Sequence, residues 1–137
     1  MLKITAQALE DMFQNCRKEY PNEACGYLVG KKITGIASKT YAIRNTLADP
    51  SSYEMESVAQ MVLQKMLRDM KLEELAIYHS HVATEAYPSR RDVDRATAIQ
   101  DFFGGYYVIV TLKDSIARAR AFRIQDGNVS EEPLVEA

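Results

Sequence analysis

The sequence predicts an α+β fold in which a single mixed β-sheet is flanked by helices. Three segments carry apolar residues at the three- and four-residue spacing of amphipathic helices. The segments between them are rich in β-branched and aromatic residues, as strands are. The chain of 137 residues has no internal repeat, low-complexity tract or Pro/Gly-rich linker, so residues 1–137 are predicted to form one domain.

The first helix is predicted at residues 6–19, where Thr5 is its N-cap and Pro21 ends it. Its apolar positions step by three and four along the chain. The residues expected to face the core are Ala6, Leu9, Phe13, Cys16 and Tyr20.

Strands are predicted next. The segment "EACGYLVG", residues 23–30, is a short apolar strand, and one or two further strands lie within residues 33–45. The turn-forming residues of "TLADPSSY" predict a loop over residues 46–53.

A second helix is predicted at residues 55–70. Its apolar positions form a methionine-rich stripe on one face: Val58, Met61, Val62, Met66 and Met70. Because methionine is flexible and fills irregular gaps in cores, this stripe is predicted to pack in the core rather than to bind a cofactor.

The middle of the chain is predicted to form a strand and a third helix. The strand "ELAIYHSH", residues 74–81, is apolar and becomes polar at its end. The helix is predicted at residues 89–103 and is closed by Gly104 and Gly105. The residues expected to face inward are Val93, Ala96, Ile99 and Phe103.

The last third of the chain is predicted to be β-rich. Residues 106–112, "YYVIVTL", form a continuous apolar run typical of a central strand. Residues 116–124 alternate, so that strand has one solvated face; Arg118 and Arg120 share a face that could bind an acidic partner, although a solvated face is the favoured interpretation. Residues 126–137 are predicted as a turn followed by a short terminal strand or tail.

Composition excludes several classes of function. Lys+Arg 17 against Asp+Glu 19 gives a net charge of −2, which argues against a broad nucleic-acid surface. No run approaches the roughly 18 apolar residues of a membrane span, and the N-terminus lacks the apolar core of a signal peptide. The two cysteines form no CxxC pair and suit a reducing compartment. A cytoplasmic protein without membrane association is therefore expected.

The two histidines of the chain, His79 and His81, stand at the polar end of a predicted strand. Side chains at positions i and i+2 of a strand point to the same face, so the two imidazoles are expected to project together. Such a pair is suited to binding a metal, and nitrogen ligands favour zinc. The alternative is two surface histidines at a strand end, and the HxH pair alone does not decide between them.

Ser89 and Asp92 follow at the predicted start of the third helix. The pattern Ser-x-x-Asp resembles a capping box, in which Ser89 would cap the helix. A loop of this length can also fold back over the strand end and bring Asp92 to the histidines. Asp94 is the rival acid, but it points about 200° away from Asp92 around a helix.

The full pattern His-x-His-x7-Ser-x2-Asp, together with "PNEACGYLVG" at residues 21–30, resembles the JAMM zinc metalloproteases of the MPN-plus, Mov34/PAD-1 type. The resemblance is to small bacterial members and covers most of the chain. It implies that His79, His81 and Asp92 bind one Zn²⁺ per chain. It also implies that Glu23 is the general base and that Ser89 assists at the oxyanion.

The resemblance further implies a fold and a function. The fold is MPN/JAMM-like, with a layout similar to that of cytidine deaminases. The implied activity is hydrolysis of an amide bond at the C-terminal tail of a ubiquitin-like or sulfur-carrier protein, by a zinc-dependent peptidase or isopeptidase. The resemblance allows a homodimer. The alternative is a non-catalytic MPN-type scaffold that assembles protein partners. A nucleoside deaminase is set aside, because that chemistry uses H-x-E with PCxxC and this chain has neither.

The chain departs from the family pattern after the second histidine. Many members have proline there and this chain has Val82, which puts specificity in question more than chemistry. Glu85, in the same segment, has no assigned role. Cys25 could act as a nucleophile or an extra ligand, but its apolar strand favours structural packing.

Overall fold

Eight strands form one mixed sheet in the computed structural model, which describes residues 1–137. In chain order the elements are β1 (Leu2–Ile4), α1 (Ala6–Glu19), β2 (Cys25–Lys31), β3 (Ile36–Ile43), α2 (Ser57–Met70), β4 (Glu73–His81), α3 (Arg90–Ile99), β5 (Tyr106–Thr111), β6 (Arg118–Gln125), β7 (Asn128–Glu132) and β8 (Leu134–Glu136). The strands lie in the order β7-β6-β5-β4-β2-β3-β1-β8. The β4–β5, β1–β3 and β1–β8 pairs are parallel and the others are antiparallel. The predicted mixed sheet flanked by helices is confirmed.

The sheet buries a separate apolar cluster on each face. Ala76 and Tyr78 of β4 belong to the cluster that also contains the buried residues of α1. Ile77 belongs to the cluster that contains the buried residues of α2 and α3. Because side chains alternate along a strand, His79 and His81 continue the face of Ile77 and lie on the side of α3.

Helix α1 has the predicted bounds, and Thr5 caps it by accepting a hydrogen bond from the backbone N–H of Ala8 at 3.1 Å. The predicted inward face is only partly correct. The fully buried residues are Ala8, Met12 and Cys16. Leu9 and Phe13 pack at the margin of the core, whereas Ala6 and Tyr20 are exposed. The buried residues follow a four-residue step from Ala8, and Ala6 lies about 200° around the helix from that stripe. Tyr20 is the C-cap and has an extended, non-helical backbone, so its side chain leaves the stripe.

The methionine-rich stripe of α2 is not in the core, and that prediction is wrong. Its five residues are between 37% and 67% exposed, while Leu63 and Leu67 are buried. Successive residues of a helix turn by about 100°, so Val62 and Leu63 cannot both face the sheet. The sheet receives the leucine stripe, and the helix leaves its second apolar stripe in solvent.

Helix α3 is shorter than predicted, because its last residue is Ile99 rather than one near residue 103. The predicted inward face is confirmed: Ala96 is buried, and Val93, Ile99 and Phe103 pack against the same cluster. The helix therefore presents one apolar side to the sheet and keeps its N-terminus beside the end of β4.

The strands agree with the sequence in the centre of the sheet and differ at its edges. Strand β5 is central, as predicted. The predicted solvated face of β6 is only partly correct: Arg120 pairs with Glu131 at 2.6 Å, but Phe122 and Ile124 on the same face are buried, because they pack in apolar clusters. Asp126 and Gly127 both have positive φ angles, as a two-residue hairpin turn requires. The three-residue strand β1 was not predicted; it pairs with β8. No helix is both long enough and apolar enough to cross a membrane.

Candidate metal centre

The two histidines lie side by side at the end of β4. Their Nε2 atoms are 3.1 Å apart, and both side chains are buried, at 2% exposed for His79 and 6% for His81. The strand geometry therefore brings the two imidazoles together, as the spacing predicts. They are not surface histidines.

Asp92 completes a group of three potential ligands. Its Oδ2 atom lies 3.2 Å from Nε2 of His79 and 3.0 Å from Nε2 of His81. The three atoms form a nearly equilateral triangle. Tetrahedral bonds of about 2.0–2.1 Å to zinc would place ligand atoms roughly 3.3 Å apart, so two nitrogens and one carboxylate oxygen at these separations fit such an ion. His79, His81 and Asp92 can thus hold a metal.

A hydrogen bond determines which nitrogen of His81 is free. Nδ1 lies 2.8 Å from the backbone carbonyl of Glu85, and a carbonyl can only accept, so Nδ1 carries the proton. The lone pair of His81 is then on Nε2, which points at the other two ligand atoms. Metal-binding histidines commonly use their second nitrogen in this way. Glu85, which had no assigned role, contributes its backbone carbonyl.

The charges of the group favour a bound cation. Burial works to raise the pKa of Asp92, but the hydrogen bonds to His79 and His81 outweigh it and hold the pKa well below its usual value. Burial lowers the pKa of His79. Burial also works against the protonated form of His81, but the hydrogen bond to Asp92 raises its pKa. An ionised carboxylate beside neutral His79 is a suitable environment for a divalent ion.

Glu23 lies beside this group although it is far from it in sequence. The backbone N–H of Ala24 donates to Ser80 Oγ at 2.8 Å, and Cys25 pairs with His79, so the chain direction places Glu23 next to His81. Glu23 is 5% exposed, and its Oε1 atom has no hydrogen-bond partner. Burial raises the pKa of Glu23 to about 7, although the positive charge of a protonated His81 acts to lower it. A carboxyl group with such a pKa can exchange protons near neutral pH.

Ser89 caps α3, as the Ser-x-x-Asp pattern predicts. Its hydroxyl accepts from the backbone N–H of Asp92 at 3.2 Å, and Oδ2 of Asp92 accepts from the backbone N–H of Ser89 at 2.9 Å. The capping box therefore also places Asp92 Oδ2 between the histidines. The Ser89 side chain is exposed, and its hydroxyl hydrogen is free to donate to another group.

Two other candidates do not join the site. Cys25 donates its thiol hydrogen to the backbone carbonyl of Ile43 at 3.4 Å, and burial raises the pKa of the thiol to about 12. A thiol in this environment is a poor nucleophile and a poor metal ligand, which favours the packing role. Asp94 is exposed and pairs with Arg90 at 3.4 Å.

The sequence did not indicate three residues that surround the site. The Tyr53 ring stacks on His79, and the Arg95 guanidinium lies over the Tyr53 ring. Asn45 donates one hydrogen bond to the backbone carbonyl of Glu23, at 3.0 Å. Tyr53 stands in a segment predicted as a loop, and loop composition carries no periodic signal that would point its side chain toward a site.

Comparison with known proteins finds a family model and relatives that match most of the chain. A family model described as prokaryotic homologs of the JAB domain matches residues 5–125. A CysO-cysteine peptidase of Mycobacterium tuberculosis is 36% identical over 135 residues, which cover 98% of this chain and 90% of that protein. A desampylase of Pyrococcus furiosus is 33% identical over 72 residues, which cover 53% of this chain and 50% of that protein.

The fold has a solved counterpart. The crystal structure of a JAB1/MPN domain protein from Archaeoglobus fulgidus superimposes with a TM-score of 0.62 at 18% identity, covering 98% of this chain and 97% of that one. At this level of identity the likeness concerns the fold.

Proposed function

This chain belongs to the family of prokaryotic homologs of the JAB domain, and we propose that it is a zinc-dependent peptidase of the JAMM type. The observation that carries the proposal is the convergence of three ligand atoms beside a buried carboxyl group. Nε2 of His79, Nε2 of His81 and Oδ2 of Asp92 lie 3.0–3.2 Å from one another. Glu23 adjoins them with an unpartnered oxygen.

His79, His81 and Asp92 would hold the zinc ion, which would supply a Lewis acid to activate water and polarise a carbonyl. Glu23 then accepts the proton of the attacking water and transfers it to the nitrogen of the leaving amine. The transfer matters because a neutral amine leaves far more easily than an amide anion. Burial brings the pKa of the Glu23 carboxyl near neutrality, which suits it both to accept the proton and to transfer it to the amine.

Ser89 is proposed to donate its free hydroxyl hydrogen to the oxygen that becomes negative in the tetrahedral intermediate. We expect Ser89→Ala to lower kcat by about 10²–10³-fold, the usual effect of a lost oxyanion donor. The same change removes the helix cap, which costs about 1 kcal/mol of stability. Steady-state rates and thermal unfolding measure the two effects separately.

Ser89→Gly serves as the control, because glycine is a tolerable N-cap without a hydroxyl. Its rate should fall as far as that of Ser89→Ala while most of the stability remains. Full activity in Ser89→Gly would show that Ser89 acts only as a cap.

The proposed substrate is a ubiquitin-like or sulfur-carrier protein whose C-terminal carboxyl is joined to an amine. One relative that matches 98% of this chain is a CysO-cysteine peptidase, and another relative is a desampylase. Hydrolysis would release the free carrier tail and the amine. We propose amide cleavage at this tail as the activity of the present chain.

The activity is tested by incubating the protein with a carrier protein that bears a C-terminal cysteine adduct or a lysine isopeptide, and reading the products by mass spectrometry. We expect loss of the adduct mass, and no loss when a chelator has removed the metal. Addition of Zn²⁺ should restore the reaction. Purified protein that contains no stoichiometric zinc under non-chelating conditions would instead favour a scaffold without catalysis.

A further inference from the structure

The two histidines of the candidate metal centre are held in different ways. Nδ1 of His81 donates to the backbone carbonyl of Glu85, as described above. Nδ1 of His79 is buried and has no hydrogen-bond partner. A metal-binding histidine usually donates its second N–H to a carbonyl, carboxylate or water, which sets the orientation of the ring. A different contact must therefore orient His79.

That contact is an aromatic stack. The rings of Tyr53 and His79 have centroids 4.7 Å apart and an interplanar angle of 27°. Tyr53 is 5% exposed and His79 is 2% exposed, so neither ring has room to swing away. A nearly parallel neighbour blocks rotation of the imidazole out of its own plane, and this leaves Nε2 directed at His81 and Asp92.

Tyr53 is itself held through its ring. The guanidinium carbon of Arg95 lies 4.2 Å from the centroid of the tyrosine ring, a cation–π contact. Arg95 follows Asp92 by three positions on α3, so the two side chains leave the same side of the helix. One face of α3 thus supplies both a proposed ligand and the group that covers Tyr53.

The backbone around Tyr53 is held by Asn45. Its Nδ2 donates to the carbonyl of Ser52 at 3.1 Å, and its Oδ1 accepts from the N–H of Glu54 at 3.0 Å. The same Nδ2 donates to the backbone carbonyl of Glu23. The segment that carries Tyr53 is therefore joined to the segment that carries the proposed base.

We propose that Tyr53 is a positioning residue, which orients His79 for metal binding by ring stacking in place of a hydrogen bond, and that Arg95 holds Tyr53 in this role. The inference rests on the metal centre proposed above. Tyr53 acts on the geometry of a ligand and takes part in no chemical step.

The test compares Zn²⁺ affinity in variants of the full chain, measured by competition with a chromogenic chelator. Tyr53→Phe keeps the ring and should bind Zn²⁺ within about 3-fold of the unaltered chain. Tyr53→Leu removes the ring and should bind about 10–100-fold more weakly, the range found when support of a metal ligand is lost. Phe103→Leu is the matched control, because it removes the ring from an aromatic pair with Tyr107 elsewhere in the fold and should leave affinity unchanged.

A second measurement detects the stacking of Tyr53 on His79 in the absence of metal. In the metal-free protein, the carbon-bound ring protons of His79 should show a ring-current shift that persists in Tyr53→Phe and disappears in Tyr53→Leu. Tyr53→Met, whose flexible side chain fills more of the vacated space, replaces the leucine variant if that variant does not fold.

Two results would overturn the inference, and they differ in what else they refute. If folded Tyr53→Leu binds Zn²⁺ as tightly as the unaltered chain, the positioning role is refuted and the metal centre stands. If the unaltered chain binds no Zn²⁺, the metal centre is refuted and the positioning role with it.

Discussion

Glu23→Gln is expected to retain zinc and to lower turnover by about 10²–10⁴-fold, the usual contribution of a general acid–base group. The amide has nearly the same shape as the carboxyl group but cannot accept a proton. Glu23 lies outside the ligand triangle, and its Oε1 makes no hydrogen bond that the change would break. Zinc per chain, measured by elemental analysis, and hydrolysis of a carrier adduct together check this outcome.

Glu19→Gln makes the same chemical change at an exposed position at the end of α1 and should leave the rate unchanged. A Glu23→Gln variant with the full rate would refute the general-base assignment. A variant that loses zinc together with its activity would mean that Glu23 supports the metal group instead.

The pH dependence of the unaltered enzyme offers a further check on Glu23. The carboxyl must be ionised to accept a proton, so kcat/KM should rise with pH through its pKa. Burial raises that pKa to about 7 without a cation, and a bound cation stabilises the ionised form and lowers it. The acid limb is therefore expected below about pH 7, and it should be absent from the residual activity of Glu23→Gln.

His81→Ala is expected to lose stoichiometric zinc and, with it, all measurable turnover. The change removes one of three ligand atoms and the hydrogen bond to the carbonyl of Glu85. Loss of a ligand should weaken binding by more than the 10–100-fold that follows from loss of a ligand's support. Zinc that remains on the protein after gel filtration measures the effect, and circular dichroism checks that the variant is folded.

Asp94→Asn is the matched control for the metal group. Asp94 is also an acid in the first turns of α3, but it is exposed and pairs with Arg90. The variant should keep its zinc and its rate. Stoichiometric zinc in folded His81→Ala would show that His81 is not a ligand.

Interactions between near neighbours were predicted well: the cap at Thr5, the capping box of Ser89 and Asp92, and the common face of the histidines. Each depends on a spacing of two or three residues along a regular element. The motif that includes Glu23 was found by resemblance, since no local rule would have selected a single glutamate.

The buried face of α2 could not be predicted from residue spacing alone. The helix has two stripes that could each face a core, and the sequence offers no reason to prefer Leu63 and Leu67 over the methionines. Only the position of the helix over the sheet selects one of them. The prediction failed because amphipathic spacing indicates that a helix has an apolar side. It does not indicate which neighbouring element will cover that side.

The sequence by itself determined the alternation that aims His79 and His81 in one direction, and the spacing that returns Asp92 to them. Only the tertiary structure decided that Glu23 would lie beside them and that Tyr53 would stack on His79. The physical reason is the range of each interaction. Strand alternation and helix capping act within a few residues, whereas burial of a carboxyl group and stacking of two rings depend on which distant segments the sheet brings into contact.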